Sequence, residues 1–538
     1  MPLNKIQIKA LVFSYIDPLR NVSALDEDIV NSVSKNLRQI KDADFEFISR
    51  LLIKEANPDN QKFATALLFI AESLSPETFL TLALNELNSQ NVQDSKKIFL
   101  MNILSSFGVA FQPEDISLYL KNPDDAINCE TSRFLEVAQI DPEAQIDFLD
   151  FYFASPIEDK KGLVESVCAD FDGDRLVNIL SPLALSAYEP EIVDYCLDII
   201  EKTKSILSYK PYFYLSHSKN EKIKKRCVKN LRKLSLSGIY TKEKSLEYYK
   251  DLLSDFEEPI VRMSLPDGNS NFSAVVSRKT KDNAYYLFFI AVNIRLGPFS
   301  CFGFSSLTKQ DHDSVLNRFV NETSQIKIPN GIFKRILDEL AVKRIEANKT
   351  VPYEYYCWER ILDDIEIREG DIFDILHNGL SCVSKEDLIK KEEFIISSPF
   401  VQNWFFRYSK NNPSFSNFLD KVMELQNDNF SLIDTYLVEC SKSVEIIDMI
   451  KTRISYLAFC LKTAKMDESA NIYYSLLFDE EEFSKFLIHI LKRSLYEHLL
   501  YLNLPEKKSE LFNGLSLKTN SKQILSLLKY VENNWVEK

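Results

Sequence analysis

The chain has 538 residues, of which 45% are hydrophobic and 12% aromatic, enough apolar material for a large core and far from a disordered composition. Its formal net charge is −14, and this average field repels phosphate, which argues against a general nucleic-acid binder while leaving room for a local basic patch. Length alone suggests roughly three or four domains, although a repeat array can run this long as one body.

The first residues, Met1-Pro-Leu-Asn-Lys-Ile-Gln-Ile-Lys9, show no cationic segment followed by an apolar stretch and a small-residue cleavage site, so no secretory signal is expected. The longest apolar run, Ala284 to Val292, is less than half of a membrane span of roughly 20 residues. The nine cysteines never form a C-x-x-C pair. They read as small buried hydrophobes in a reducing compartment, so the expectation is a cytoplasmic protein with neither a zinc site nor a disulfide framework.

From residue 57 onward a short polar break recurs, at Asn57-Pro-Asp-Asn60, Asn91-Val-Gln-Asp94, Asn122-Pro-Asp-Asp125, Pro156-Ile-Glu-Asp159, Tyr188-Glu-Pro-Glu191 and Ser218-Lys-Asn-Glu221. The starts lie 34, 31, 34, 32 and 30 residues apart, a period that signals stacked helix pairs. Each break has helix-start chemistry: Asx or Ser to accept from orphan amides, Pro for the first turn, acids for the positive end of the dipole. An amphipathic helix is expected after each, with Phe63, Leu67, Ile70 and Leu74 on one face in one unit and Ile223, Cys227, Leu231 and Leu234 in another.

The Trp, Gly and Tyr positions of tetratricopeptide units and the Thr-Pro-Leu-His turn of ankyrin units are missing. The stretches NPDNQKFATALLFIAESL and SKNEKIKKRCVKNLRKLSLSG resemble HEAT-like repeats, though the units are shorter than the usual HEAT length. The order of helical repeats, β interruption and second helical half is similar to that of uncharacterised bacterial HEAT-repeat proteins. That resemblance implies a fold and no particular activity.

Between Pro259 and Phe304 the helical pattern stops. Ile260 to Leu265, Asn271 to Ser277 and Ala284 to Ile294 are strand-length runs rich in β-branched and aromatic residues, separated by Pro266-Asp-Gly-Asn269 and Lys279-Thr-Lys-Asp-Asn283. An antiparallel meander of at least three strands is expected. In the third, Tyr286, Phe288, Ile290, Val292 and Ile294 alternate with Tyr285, Leu287, Phe289 and Ala291, so both faces are apolar and both require cover. Helical patterns resume at Thr308, after Pro329 and Pro352, and at about 383–426, 430–463, 467–502 and 520–534. The fold class read from these patterns is mostly α. It divides into a HEAT-like helical-hairpin solenoid over 1–255, a small antiparallel β module over 256–307, and a helical region over 308–538.

No motif carries a convincing chemistry. Asp170-Phe-Asp172-Gly-Asp174 matches the start of an EF-hand loop, but Arg175 stands where Gly is required and Ser181 where the bidentate Glu belongs. Asp311-His312-Asp313-Ser314 gathers triad residue types, yet sequence neighbours in a helix's first turn point apart. His489 and His498 have no third ligand at metal spacing, and every glycine is isolated, so no phosphate loop exists. The expectation is therefore no catalytic residue, no metal and no cofactor.

Two features suggest a partner instead. Lys219 to Lys233 carries eight basic residues against Glu221; Lys222, Arg226, Lys229 and Lys233 fall on one stripe, with Lys225 beside it, opposite the apolar face. Tyr353, Tyr355, Tyr356 and Trp358 are too closely spaced to share one helix face, so some cover the sheet or anchor a partner. The candidate partner-binding residues are Lys222, Lys225, Arg226, Lys229, Lys233, Tyr353, Tyr356 and Trp358. The function expected is a non-enzymatic scaffold that binds a protein or peptide, possibly acidic in character, along a solenoid surface, without a membrane span. The alternatives are an enzyme or subunit of the HEAT-type lyase kind, and a nucleic-acid binder using helix 219–233.

Overall fold

The computed structural model describes residues 5–503 and 521–535, apart from 22–26, 41–43, 112–117, 124, 126–136, 139–140, 171, 188, 323–324, 410–411 and 426–428. Within these residues the chain is mostly helical, with one antiparallel five-stranded sheet between two helical stretches. Among them, no helix is long and apolar enough to cross a membrane.

Ahead of the sheet run α1 (Lys5–Ile16), α2 (Glu27–Leu37), α3 (Phe45–Glu55), α4 (Gln61–Leu74), α5 (Pro76–Asn88), α6 (Asp94–Ser106), α7 (Pro142–Ala154), α8 (Ile157–Asp170), α9 (Gly173–Ser186), α10 (Pro190–Thr203), α11 (Tyr209–Leu215), α12 (Glu221–Leu236) and α13 (Lys242–Leu252). The polar breaks set several of these starts directly. Asn60 accepts from the Phe63 amide at 3.2 Å, and Asn220 accepts from the Lys222 and Ile223 amides at 3.1 and 3.3 Å. Other breaks work differently: Asp94 turns away from its own helix and accepts from the amides of Lys121 and Asn122 at 3.0 and 2.9 Å. The break at Asn122 and the first residue of that at Tyr188 lie partly outside the described residues, as does Cys129.

Phe63, Leu67, Ile70 and Leu74 are all buried, as are Ile223, Cys227 and Leu234. Among the described residues the apolar side chains ahead of the sheet fall mainly into one cluster over positions 8–120 and another over 146–249 that also takes in Tyr353 and Cys357 from beyond the sheet.

The sheet comprises β1 (Ile260–Ser264), β2 (Asn271–Lys279), β3 (Tyr285–Asn293), β4 (Gly297–Leu307) and β5 (Gln325–Ile328), in the order β4-β3-β2-β1-β5. It extends past 307, because β5 returns beyond α14 (Lys309–Glu322) to pair with β1, placing Ile328 opposite Val261. Four residues are too few to carry a readable alternation, so β5 does not announce itself. The β1–β2 turn is held by Asp267, whose Oδ1 accepts from the amides of Asn269 and Asn271, both at 2.8 Å.

The β3 alternation is as its residues dictate. Phe288, Ile290 and Val292 face one core together with helices that follow the sheet, while Leu287 and Phe289 join Val275 against Val315, Leu316 and Phe319 of α14. The inner face is covered by α15 (Asn330–Glu346) and α16 (Tyr353–Trp358), which a 3₁₀ turn (Glu359–Leu362) extends, and by α17 (Ile372–Leu376). Then come α18 (Lys385–Lys390), α19 (Glu392–Ser397), α20 (Pro413–Met423), α21 (Leu432–Ser441), α22 (Val444–Thr463), α23 (Asp467–Ser475), α24 (Glu480–Asn503) and α25 (Ser521–Trp535), most of which share the largest apolar cluster. Pro399 and Pro413 break the helical pattern expected over 383–426, since neither can supply an amide to a helix interior.

Candidate functional site

The basic helix is α12. Its Lys222, Arg226 and Lys233 face α10, which presents Asp194, Asp198 and Glu201 at helical spacing. Lys222 Nζ lies 2.5 Å from Asp194, Arg226 Nη2 lies 2.5 Å from Asp198 and 3.4 Å from Glu201, and Lys233 Nζ lies 2.7 Å from Glu201. The hydrogen bond from Lys233 is the main reason that the Glu201 carboxyl is held below its ordinary range. Arg226 is half-buried under this ridge rather than standing in solvent. The stripe expected from the sequence is thus split, with Lys222, Arg226 and Lys233, three of its four residues, serving as a clasp between consecutive helices. The acids that do this, spaced four and three apart in the preceding helix, were visible in the sequence and are the signal that a reading of α12 alone passes over.

What remains outside is a second stripe. Lys225, Lys229 and Arg232 are exposed and, among the described residues, make no ion pair, and Leu236 continues their line with 88% of its surface accessible. Positions 225, 229, 232 and 236 advance by four, three and four residues and so share one helix face.

The aromatic cluster does not offer a surface. Tyr356 and Trp358 are 3% and 0% exposed; Trp358 lies parallel to Phe288 of β3 at 6.1 Å, and Tyr356 packs edge-on to Tyr214 at 5.6 Å. Large aromatic area next to an apolar strand is most favourable inside the core. Tyr353 alone reaches the outside, and it is engaged within the chain: its hydroxyl donates to Asp150 and its ring stacks on Phe153 at 5.0 Å, tying α16 to α7.

The His312 region holds an arrangement the sequence did not suggest. His312 Nε2 lies 2.8 Å from Ser277 Oγ on β2, and its Nδ1 lies 2.9 Å from Asp313. Serine, imidazole and carboxylate thus form a chain, but Ser277 and His312 are 9% and 6% exposed between β2 and α14, with the Tyr285 ring 4.5 Å from the imidazole. A nucleophile needs a face open to substrate. Here the three groups satisfy one another beneath a helix. The acidic stretch around Asp172 is a helix-to-helix break, with Asp174 in the first turn of α9 accepting from Ser205. Among the described residues no group of His, Cys, Asp and Glu is placed to hold a metal ion.

A cleft of about 680 Å³ lies where α11 and α13 meet α15 and the segment after the 3₁₀ turn. Its wall carries Tyr209 and Tyr240, stacked 3.6 Å apart and nearly parallel, with Phe213 beside them. Its floor is charged. Lys210 Nζ lies 3.0 Å from Asp363 and 3.1 Å from Glu359, and Lys334 Nζ lies 3.0 Å from Asp363. The Tyr214 hydroxyl donates to Asp338 at 3.1 Å and stands 3.4 Å from Glu359.

Three carboxylates here share two ammonium groups, and the electrostatics follow. Burial opposes charge on every one of these groups. Lys210 is nonetheless held well above its ordinary value, because Asp363 and Glu359 outweigh its burial. Asp363, close to both lysines, is held low in spite of burial. Glu359 is pushed up to about 7, chiefly by burial, and Asp338 is raised for the same reason.

No family model, curated protein or solved structure matches the chain, so what its surface can do is argued from these residues alone.

Proposed function

We propose that this protein is a non-enzymatic scaffold, a helical array of the HEAT-like kind interrupted by a sheet, that binds an acidic protein or peptide across the outer face of α12. The observation that carries the reading is the asymmetry of that helix: three cations are matched one ridge to another with α10, while Lys225, Lys229 and Arg232 are left unmatched in a chain of net charge −14. Like charges on one face repel, and among the described residues no acid pairs with these three. A partner supplying carboxylates would relieve that repulsion and be steered to the site by it.

Leu236, with Val228 beside the stripe, adds apolar area for an anchor at the end of the charged row. A nucleic acid is less well served, since so short a row of cations offers few phosphate contacts against an acidic average field. A cytoplasmic setting fits the thiols, with Cys196 and Cys227 both pushed up to about 12 by burial and so kept as neutral side chains in the core.

The test is affinity purification from the native host with wild type and with the triple variant K225E/K229E/R232E, analysed by mass spectrometry. The expected result is an acidic protein recovered with wild type, released by raised salt and lost in the variant. An identical set of co-purifying proteins in both would refute the reading.

A further inference from the structure

The cleft between α11, α13 and α15 has a composition that the docking face of α12 does not explain. Its inner cations are already committed, Lys210 to Asp363 and Glu359 and Lys334 to Asp363, while at the rim Lys242 pairs with Glu369, Arg335 with Glu339, and Arg368 lies exposed. Its acids are only partly matched. Asp338 makes no ion pair among the described residues and holds only the Tyr214 hydroxyl. Glu359, 1% exposed, has Lys210 Nζ 3.1 Å from its Oε2 and the Tyr214 hydroxyl 3.4 Å from its Oε1, but it shares that single ammonium with Asp363. Three carboxylates set against two ammonium groups leave the floor short of positive charge. Beside Asp338 and Glu359 stand the half-buried rings of Tyr209, Phe213 and Tyr240, whose negative faces favour a positive guest.

We propose that this cleft is a binding site for an organic cation, a guanidinium or primary ammonium group whose N–H donors reach Asp338 and Glu359 and whose alkyl stem lies along the Tyr209–Tyr240 stack. The two carboxylates and the aromatic wall come from elements 98 residues or more apart in sequence, Tyr209 and Tyr240 before the sheet and Asp338 and Glu359 after it, so the site exists only where the two helical stretches meet. A planar guanidinium matches the acceptor pair best, because it presents several N–H donors in one fork. An anion is disfavoured on the floor, since it would face Asp338 and Glu359 with Lys210 and Lys334 already paired there. The raised positions of both carboxyls agree with a floor short of positive charge.

The guest is either a free small molecule or the basic side chain of a polypeptide, and the experiment separates them. The full chain is titrated, by calorimetry and by ligand-observed NMR, with n-butylguanidinium, with its neutral isostere n-butylurea, and with Ac-Ala-Ala-Arg-Ala-Ala-NH2 and its citrulline counterpart. The prediction is binding of at least one guanidinium probe and at least about tenfold weaker binding of the matching neutral probe, as expected for a buried charge-assisted pair. Asp338→Asn, which keeps the shape and an acceptor for Tyr214, should weaken the bound probe by about tenfold or more. Tyr240→Ala, at the half-buried wall, should weaken it by about threefold to tenfold with the melting curve preserved. Binding of the peptide but not of butylguanidinium assigns the site to a polypeptide side chain; binding of both assigns it to the cationic group itself. Equal binding of charged and neutral probes, no binding of either guanidinium, or an affinity unmoved in both variants overturns the proposal and leaves the charged floor as an internal clasp.

Discussion

Gly303 of β4 lies directly beneath the ring of Trp358: a Cβ placed on Gly303 would fall 2.3 Å from Trp358 Cε2, 2.4 Å from its Cζ2 and 2.6 Å from the Leu287 carbonyl oxygen. The absent side chain is what lets α16 press against the sheet, with Phe288 on the other side of the contact. The ring is fully buried and the carbonyl belongs to the neighbouring strand, so neither can retreat cheaply. Gly303→Ala should therefore destabilise the protein by about 2 kcal/mol or more, read as a lowered denaturation midpoint at unchanged slope. A variant that unfolds like wild type would mean that α16 does not approach β4 this closely.

Phe289 is the corresponding probe of the opposite face. It pairs with Val275 and packs against Phe302 at 4.9 Å and Phe319 at 4.8 Å under α14. Phe289→Asp would bury a carboxylate with no cation beside it, at a cost of several kcal/mol, and the soluble yield and near-ultraviolet dichroism should collapse. Retention of the wild-type melt would place this face in solvent.

These two positions show what the sequence could and could not reveal. The β3 alternation predicted both of its buried faces, because a period of two in a strand leaves no freedom about which residue points where. The Thr308 cap was equally plain, and Thr308 Oγ1 does accept from the Asp311 amide at 3.2 Å. Pairing between distant elements was hidden. Nothing local marks Ser277 as the partner of His312, or Asp363 as the partner of Lys210, 153 residues earlier. The same gap misled the reading of α12, where Arg226 lies off the apolar face in sequence and yet is enclosed by three carboxylates of α10. Of the aromatic group, the spacing showed that some must cover the sheet or anchor a partner, and Trp358 and Tyr356 went to the core because the sheet's inner face had to be covered.

The split of α12 makes a direct prediction about stability. Arg226→Ala removes contacts to Asp194, Asp198 and Glu201 and should lower stability by about 1 kcal/mol, while Lys229→Ala, which makes no ion pair among the described residues, should change it by less than about 0.5 kcal/mol. Chemical denaturation of the two variants side by side decides it. Equal effects would mean that the ridge between α10 and α12 is not formed in solution.

Glu359 should leave a mark on the pH dependence of stability. Its carboxyl is raised from 4.5 to about 7, mainly by burial, so over that window the folded protein retains a proton that the unfolded chain has released. The unfolded state then binds fewer protons, and stability falls as pH rises. Asp338 shifts in the same direction and remains in any Glu359 variant. Glu359→Gln should accordingly show a shallower decline between about pH 5 and 7 than wild type, in melting temperatures taken across that range. Parallel curves for the two proteins would show that Glu359 is ionised throughout.

The central claim is that the Lys225, Lys229 and Arg232 face of α12 receives an acidic partner, and the most direct measurement is site-specific photo-cross-linking in the native host with a benzophenone amino acid at position 236. Leu236 is 88% exposed at the end of the stripe, and Phe478, 62% exposed in the later helical stretch, serves as the control position. The account predicts one discrete cross-linked protein of acidic composition from position 236, absent from position 478 and absent when Lys225, Lys229 and Arg232 are changed to Glu. No adduct at 236, or the same adducts from both positions, would contradict it.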